Sequence, residues 1–255
     1  MYKHLLKIPF FLIIIVLFFI QLNKTYNNEI KTNTTPTPVT TEVKNVGNLP
    51  EAKTKLIATE IKGNLGAYYT EYLTNFYITI DGKTQNFPYW VNVSNKTWYP
   101  FIYFDNINQD KKNEIIIILT TGQGSELLEQ EAHVFNKVKT NIGELYEERL
   151  VENPMSIINK NVKTKLTKSD AIIKIGNKIT KINIKKFGIE PTHIFPDVSL
   201  GNILRFKVIN NKLKAVVGAT ISPSGGYIGN IYITYTFKDN MYQADDIKFV
   251  EESFQ

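Results

Sequence analysis

Four oxygen-bearing side chains fall close together in one short stretch: Asn106, Asn108, Asp110 and Glu114, at positions one, three, five and nine counted from Asn106. Alternate residues of a tight loop can converge on one point, and a hard cation such as Ca²⁺ takes roughly six to eight oxygen ligands. The Lys112 carbonyl would fill position seven, and Asp105 stands beside the set as a further carboxylate. The plain alternative is a polar hairpin turn that keeps the loop's shape without an ion. Ca²⁺ is the one cofactor this chain suggests.

The stretch Phe104–Leu119 resembles the calcium loop of FG-GAP/VCBS repeats, known from the N-terminal region of integrin alpha chains. In that family an acidic, Gly-containing loop runs into an apolar strand, as Asn106–Asn113 runs into Glu114-Ile115-Ile116-Ile117-Ile118-Leu119 here. The resemblance implies calcium held by the loop. It covers about 16 residues, followed more loosely by Thr120-Thr121-Gly122-Gln123-Gly124. Position one is Asn rather than Asp, and position six is Lys111 where the family has Gly. The loop stands as a single copy, whereas a propeller needs several blades, so the family's architecture is not implied.

Other chemistry is sparser. Thr121-Gly122-Gln123-Gly124-Ser125 lacks the Gly-Lys-Ser/Thr ending of a phosphate loop and reads as a strand connection. His133 lies in the alternating run Glu131-Ala132-His133-Val134-Phe135, which places Glu131, His133 and Phe135 on one face; His193 lies between Pro191 and Pro196. Nothing in the spacing makes the two histidines partners. Ser222-Pro223-Ser224-Gly225-Gly226 lacks the Gly-x-Ser-x-Gly setting of a nucleophile and reads as a hairpin loop. Glu126, Glu129, Glu131, Glu144, Glu147 and Glu148 could supply paired acids for glycoside hydrolysis, which requires a defined separation and one carboxyl raised by burial. Solvated strand faces are the simpler reading. From Lys160 to Lys186 there are nine lysines and one acid, Asp170. They suit either a lysine-guarded edge strand or a basic face towards anionic lipid head groups or envelope polymers.

The elements that must carry these residues read as strands. Aromatics are frequent, with 14 Tyr, 15 Phe and 2 Trp, and they mix with Ile, Val and Thr in the manner of half-buried strands. Asp81-Gly82, Gly176-Asn177, Asn210-Asn211 and Asp239-Asn240 each separate two apolar runs and predict hairpins. Asn153–Asn159 predicts one or two turns of helix behind Asn153-Pro154, with a sub-boundary of the domain near 153–168. The expected fold is mainly β, built from antiparallel hairpins with a minor helix, over residues 51–255.

Ahead of this body, Ile8–Ile20 has no polar side chain and follows Lys3, His4 and Lys7. Such a segment enters a bilayer with its N-terminus in the cytoplasm. Residues 1–24 are expected to be a transmembrane signal anchor, embedded through residues 5–22, because residues 21–30 offer no small-x-small pair for cleavage; a cleaved signal and a secreted body is the alternative. Residues 25–50, rich in Thr, Asn and Pro, predict a flexible stalk. With no cysteine, thiol redox chemistry and thiolate zinc sites are excluded. Residues 1–49 hold five of the 30 basic residues and two of the 24 acids, leaving 25 against 22, too mild a balance to imply nucleic acid. The expected function is a membrane-tethered, extracytoplasmic binding or scaffolding module, not an enzyme. A carboxylate-dependent hydrolase of envelope polymers is its rival.

Overall fold

The computed structural model describes residues 39–252 apart from 66, 67, 142 and 224. The expected anchor and the first part of the expected stalk lie outside the described residues. Among the described residues no helix is long and apolar enough to cross a membrane.

The fold is mainly β and almost entirely antiparallel. Strands β1 (Thr40–Leu49), β2 (Thr54–Leu65), β3 (Tyr68–Ile80) and β4 (Lys83–Val93) form a four-stranded meander in sequence order. Its last turn is the expected Asp81-Gly82, with Ile80 paired to Lys83. Strands β5 (Phe101–Asp105), β6 (Glu114–Gln123) and β7 (Leu128–Thr140) follow, and β8 (Gly143–Arg149) folds back on β7. Helix α1 (Pro154–Asn161) leads to the small sheet of β9 (Val162–Leu166), β10 (Asp170–Ile175) and β11 (Lys178–Asn183), with β10 in the middle. Strands β12 (Ser199–Val208), β13 (Leu213–Thr220), β14 (Tyr227–Lys238) and β15 (Met241–Glu251) complete the large sheet.

The uninterrupted run Ile115–Leu119 has a physical reason. Side chains alternate across a strand, and β6 is covered on both faces. Ile115, Ile117 and Leu119 join the core made with the meander, beside Leu56, Phe76 and Trp90. Ile116 and Ile118 enter the other core, with Val217, Ile231 and Tyr235. Asn92 ties β4 to β6: its Oδ1 accepts from Thr120 N at 2.6 Å, and its amide donates to the Val93 and Trp98 carbonyls.

The far edge of the large sheet, β15, is bridged back to the chain that leaves β8. Strand β7 meets β12 in a parallel bridge at Leu128–Ile203 and pairs with β8 from Val134 onwards. The chain leaving β8 then bridges β15: Tyr242 N donates to the Leu150 carbonyl, and Glu152 N donates to the Tyr242 carbonyl. The link from β15 back towards β7 is thus made by residues 150–152, beyond the end of β8, and not by β8 itself.

Two expectations change. The stalk of residues 25–50 ends sooner, because Thr40–Leu49 is an edge strand of the meander paired to β2. It looked like linker because solvent bathes most of it and only Val46 is buried. Lys44 anchors it, 2.6 Å from the buried Glu60 carboxylate. Burial alone would raise the Glu60 pKa, yet Lys44 and Lys62 hold it below the ordinary value. No core boundary falls at 153–168 either: Ile157 and Ile158 of α1 pack in one cluster with Val134 and Ile173.

Candidate functional site

The Asn106–Asn113 loop joins β5 to β6 across the pair Asp105–Glu114. Ile107, 3 % exposed, plugs into the core and seats the loop. Asn108 Oδ1 accepts from Asp110 N at 2.9 Å, and Asp110 Oδ1 accepts from Lys112 N at 2.8 Å. Gln109 and Lys111 have φ of 66° and 70°. Lys111 therefore holds the left-handed conformation that glycine adopts freely, at a cost of about 1 kcal/mol.

Glu114 turns inward. Its Oε2 accepts from Ile107 N at 2.9 Å and Asn108 N at 3.2 Å. Burial pushes its carboxyl up to about 7, against the opposing pull of these two amides. Asp105 Oδ1 accepts from Asn106 N and from the Asn211 amide of the β12–β13 turn. Asn106 Oδ1 is buried without a hydrogen-bond partner. The oxygens left to a cation are thus Asn106 Oδ1, the second oxygens of Asp105, Asp110 and Glu114, and carbonyls such as that of Lys112. Among the described residues no group of three or more His, Asp or Glu side chains could hold a metal, so amide and carbonyl oxygens would have to complete the shell.

A second site lies where β12 and β8 diverge along one edge of β7. The ladder gives residues 129–133 no partner on that edge, and a cleft of about 290 Å³ opens there. Its lining includes Glu131, His133, Glu148 and Arg149, together with Met155 of α1 and Phe206 of β12. His133 is 15 % exposed and stacks on Trp90 of the meander, ring centroids 3.8 Å apart. Its Nδ1 lies 2.7 Å from Glu148 Oε1. Nε2 has no hydrogen-bond partner and sits 3.9 Å from Glu131 Oε2. A carboxylate that accepts Nδ1–H would fix the ring and leave the lone pair on Nε2, as in a general base or a metal-binding imidazole, but here Nε2 is itself buried from solvent.

The expected shared face of Glu131, His133 and Phe135 is present, and Phe135 is fully buried in the core made with the meander. Glu148 and Trp90 were not legible as partners of His133. Glu148 pairs with Phe135 across the ladder and so lies one diagonal step from His133, which only the β7–β8 register reveals. His193 is exposed on the turn Pro191–His193 and is not among the residues lining the cleft. Glu144 and Glu147 pair with Lys137 and Arg149, each at 2.8 Å. The segments around Gly124 and Ser222 are strand connections, closed by Gly124 N to the Leu127 carbonyl and Ile221 N to the Gly226 carbonyl.

A third feature is basic. Lys163, Lys165, Lys174 and Lys181 are exposed on the β9–β11 sheet. Asp170 lies 3.2 Å from Lys181.

The chain matches no protein-family model, no curated protein and no solved structure with which it was compared.

Proposed function

We propose that this chain is a membrane-tethered, extracytoplasmic module that acts by binding or scaffolding rather than by catalysis. The observation that carries the reading is the uncharged run Ile8–Ile20 placed directly behind Lys3, His4 and Lys7. The body suits such a role: it is cysteine-free and is built on two continuous apolar cores. The Asn106–Glu114 loop belongs to the same reading as a weak Ca²⁺ site, and the orphaned Asn106 Oδ1 is what supports it.

The absence of native cysteine makes the test clean. Tyr89, 93 % exposed on β4, is replaced as Tyr89→Cys and treated on whole cells with a membrane-impermeant maleimide. Labelling of intact cells, with the full chain in the membrane fraction, is expected. Labelling only after lysis, or a full-length chain in the cytosol, overturns the reading.

The His133–Glu148 pair favours a second reading, a carboxylate-dependent hydrolase of envelope polymers with Glu131 and His133 at the reacting bond. Hydrolysis of such polymers by the purified chain, abolished in Glu131→Gln, would replace the first reading with this one.

A further inference from the structure

We propose that the outer face of the β9–β11 sheet docks on the anionic head groups of a lipid bilayer, a role that deepens the tethered-module reading and rests on it for the nearness of a membrane. Register alone assembles the face. Lys165, Ile172 and Lys181 lie side by side in one cross-strand row, and Lys163, Lys174 and Ile179 in the next. Directly opposed residues share a face, so these six lie on the side away from Ala171, Ile173 and Ile182, which enter the core. Lys181 has a carboxylate, Asp170; among the described residues no acid pairs with Lys163, Lys165 or Lys174. Ile179 is 62 % exposed.

Protection of a sheet edge does not account for this pattern. Lysines on the outer strands β9 and β11 would block unwanted pairing. Lys174, however, is on the central strand β10, where both edges are already occupied, and it stands directly opposite Lys163. Like charges opposed across a ladder repel, which an external layer of negative charge would relieve. The exposed Ile179 and the half-buried Ile172 beside the lysines point to a bilayer rather than a soluble polyanion, because a surface of charged heads over an apolar boundary accommodates both. Chain length agrees: the 16 residues from Asn23 to Pro38 can span at most roughly 55 Å, so a membrane-held N-terminus keeps the body within reach.

The test uses the full chain with Ile179→Cys carrying an environment-sensitive fluorophore. It is mixed with vesicles of phosphatidylcholine alone or enriched in phosphatidylglycerol, and co-flotation is measured in the same samples. A blue shift is expected with phosphatidylglycerol, reversed by salt and absent with phosphatidylcholine. Each lysine near an anionic leaflet is worth roughly fivefold in partitioning, so Lys163→Gln/Lys165→Gln/Lys174→Gln should weaken docking roughly a hundredfold with an unchanged circular dichroism spectrum. A probe at Tyr89→Cys, on the meander, should not respond. If the chain floats with both vesicles while the Ile179→Cys probe stays in water, docking is refuted and the tether stands. Flotation and blue shift with phosphatidylglycerol alone support the face and remove the tether; flotation with neither removes both. A stronger probe response to soluble poly(glycerol phosphate) than to the vesicles makes the occupant a polymer and overturns the bilayer.

Discussion

Glu114 should give this fold a specific pH dependence. Its side chain is 1 % exposed, and burial raises the carboxyl from 4.5 to about 7. Across that window the folded chain keeps a proton that the unfolded chain has released, so stability falls as the pH rises. The contribution is fully present below the unfolded value and is lost as the pH passes through about 7. The displacement corresponds to at most about 3 kcal/mol between the two ends of the window. Glu114→Gln keeps an oxygen for the Ile107 and Asn108 amides and removes the ionisation. Urea unfolding of both proteins from about pH 5 to about pH 8 isolates the effect, because every other titrating group cancels in the difference. The stability of the parent minus that of the variant should decline by roughly 2–3 kcal/mol over this range. Ca²⁺, which needs the ionised carboxylate, should raise the melting temperature of the parent at the alkaline end and not at the acid end. A difference that stays flat with pH would refute the buried-carboxyl reasoning. A melting temperature unmoved by Ca²⁺ at the alkaline end, also in Asn106→Ala and Asp110→Ala, would remove the metal.

Three structural predictions accompany it. Gly229 has φ of 143°, and a Cβ there would lie 2.2 Å from the Val250 carbonyl oxygen, so Gly229→Ala must part β14 from β15; a loss on the order of 3 kcal/mol or more is expected in thermal melting. Tyr242 donates to Asn136 Oδ1 at 3.0 Å inside the core, so Tyr242→Phe should cost about 1–3 kcal/mol in denaturant unfolding by leaving Asn136 unsatisfied. Trp90 packs against Phe87 with ring centroids 4.3 Å apart and against His133 at 3.8 Å, and Trp90→Ala should cost roughly 3–5 kcal/mol, measured the same way. A neutral result for any of the three would contradict the packing described.

Much of the fold was local in origin and therefore legible in the chain. Asp81, Gly82, Gly176, Asn210, Asn211, Asp239 and Asn240 all adopt positive φ at the turns their residue types announced, and the hairpins they close follow from that chemistry. The run Ile115–Leu119 was legible as an apolar strand, and only the fold showed that both its faces are covered. Asn153 caps α1 through Ser156 N, as its place before Pro154 foretold. Strand β1 stayed hidden because an edge strand bathed in solvent needs few apolar residues, and the partner that makes it a strand is β2. The parallel meeting of β7 with β12, and the bridge from Val151 to Tyr242, join segments far apart in the chain whose own residues carry no mark of each other. The same holds for the sites. Spacing could place oxygens in the Asn106–Glu114 loop, but only folding turned Glu114 inward and orphaned Asn106 Oδ1. Trp90, His133 and Glu148 became neighbours because the meander packs on β7 while β8 pairs beside it. Residue types fix the turns through backbone sterics; packing of one sheet on another decides which side chains meet.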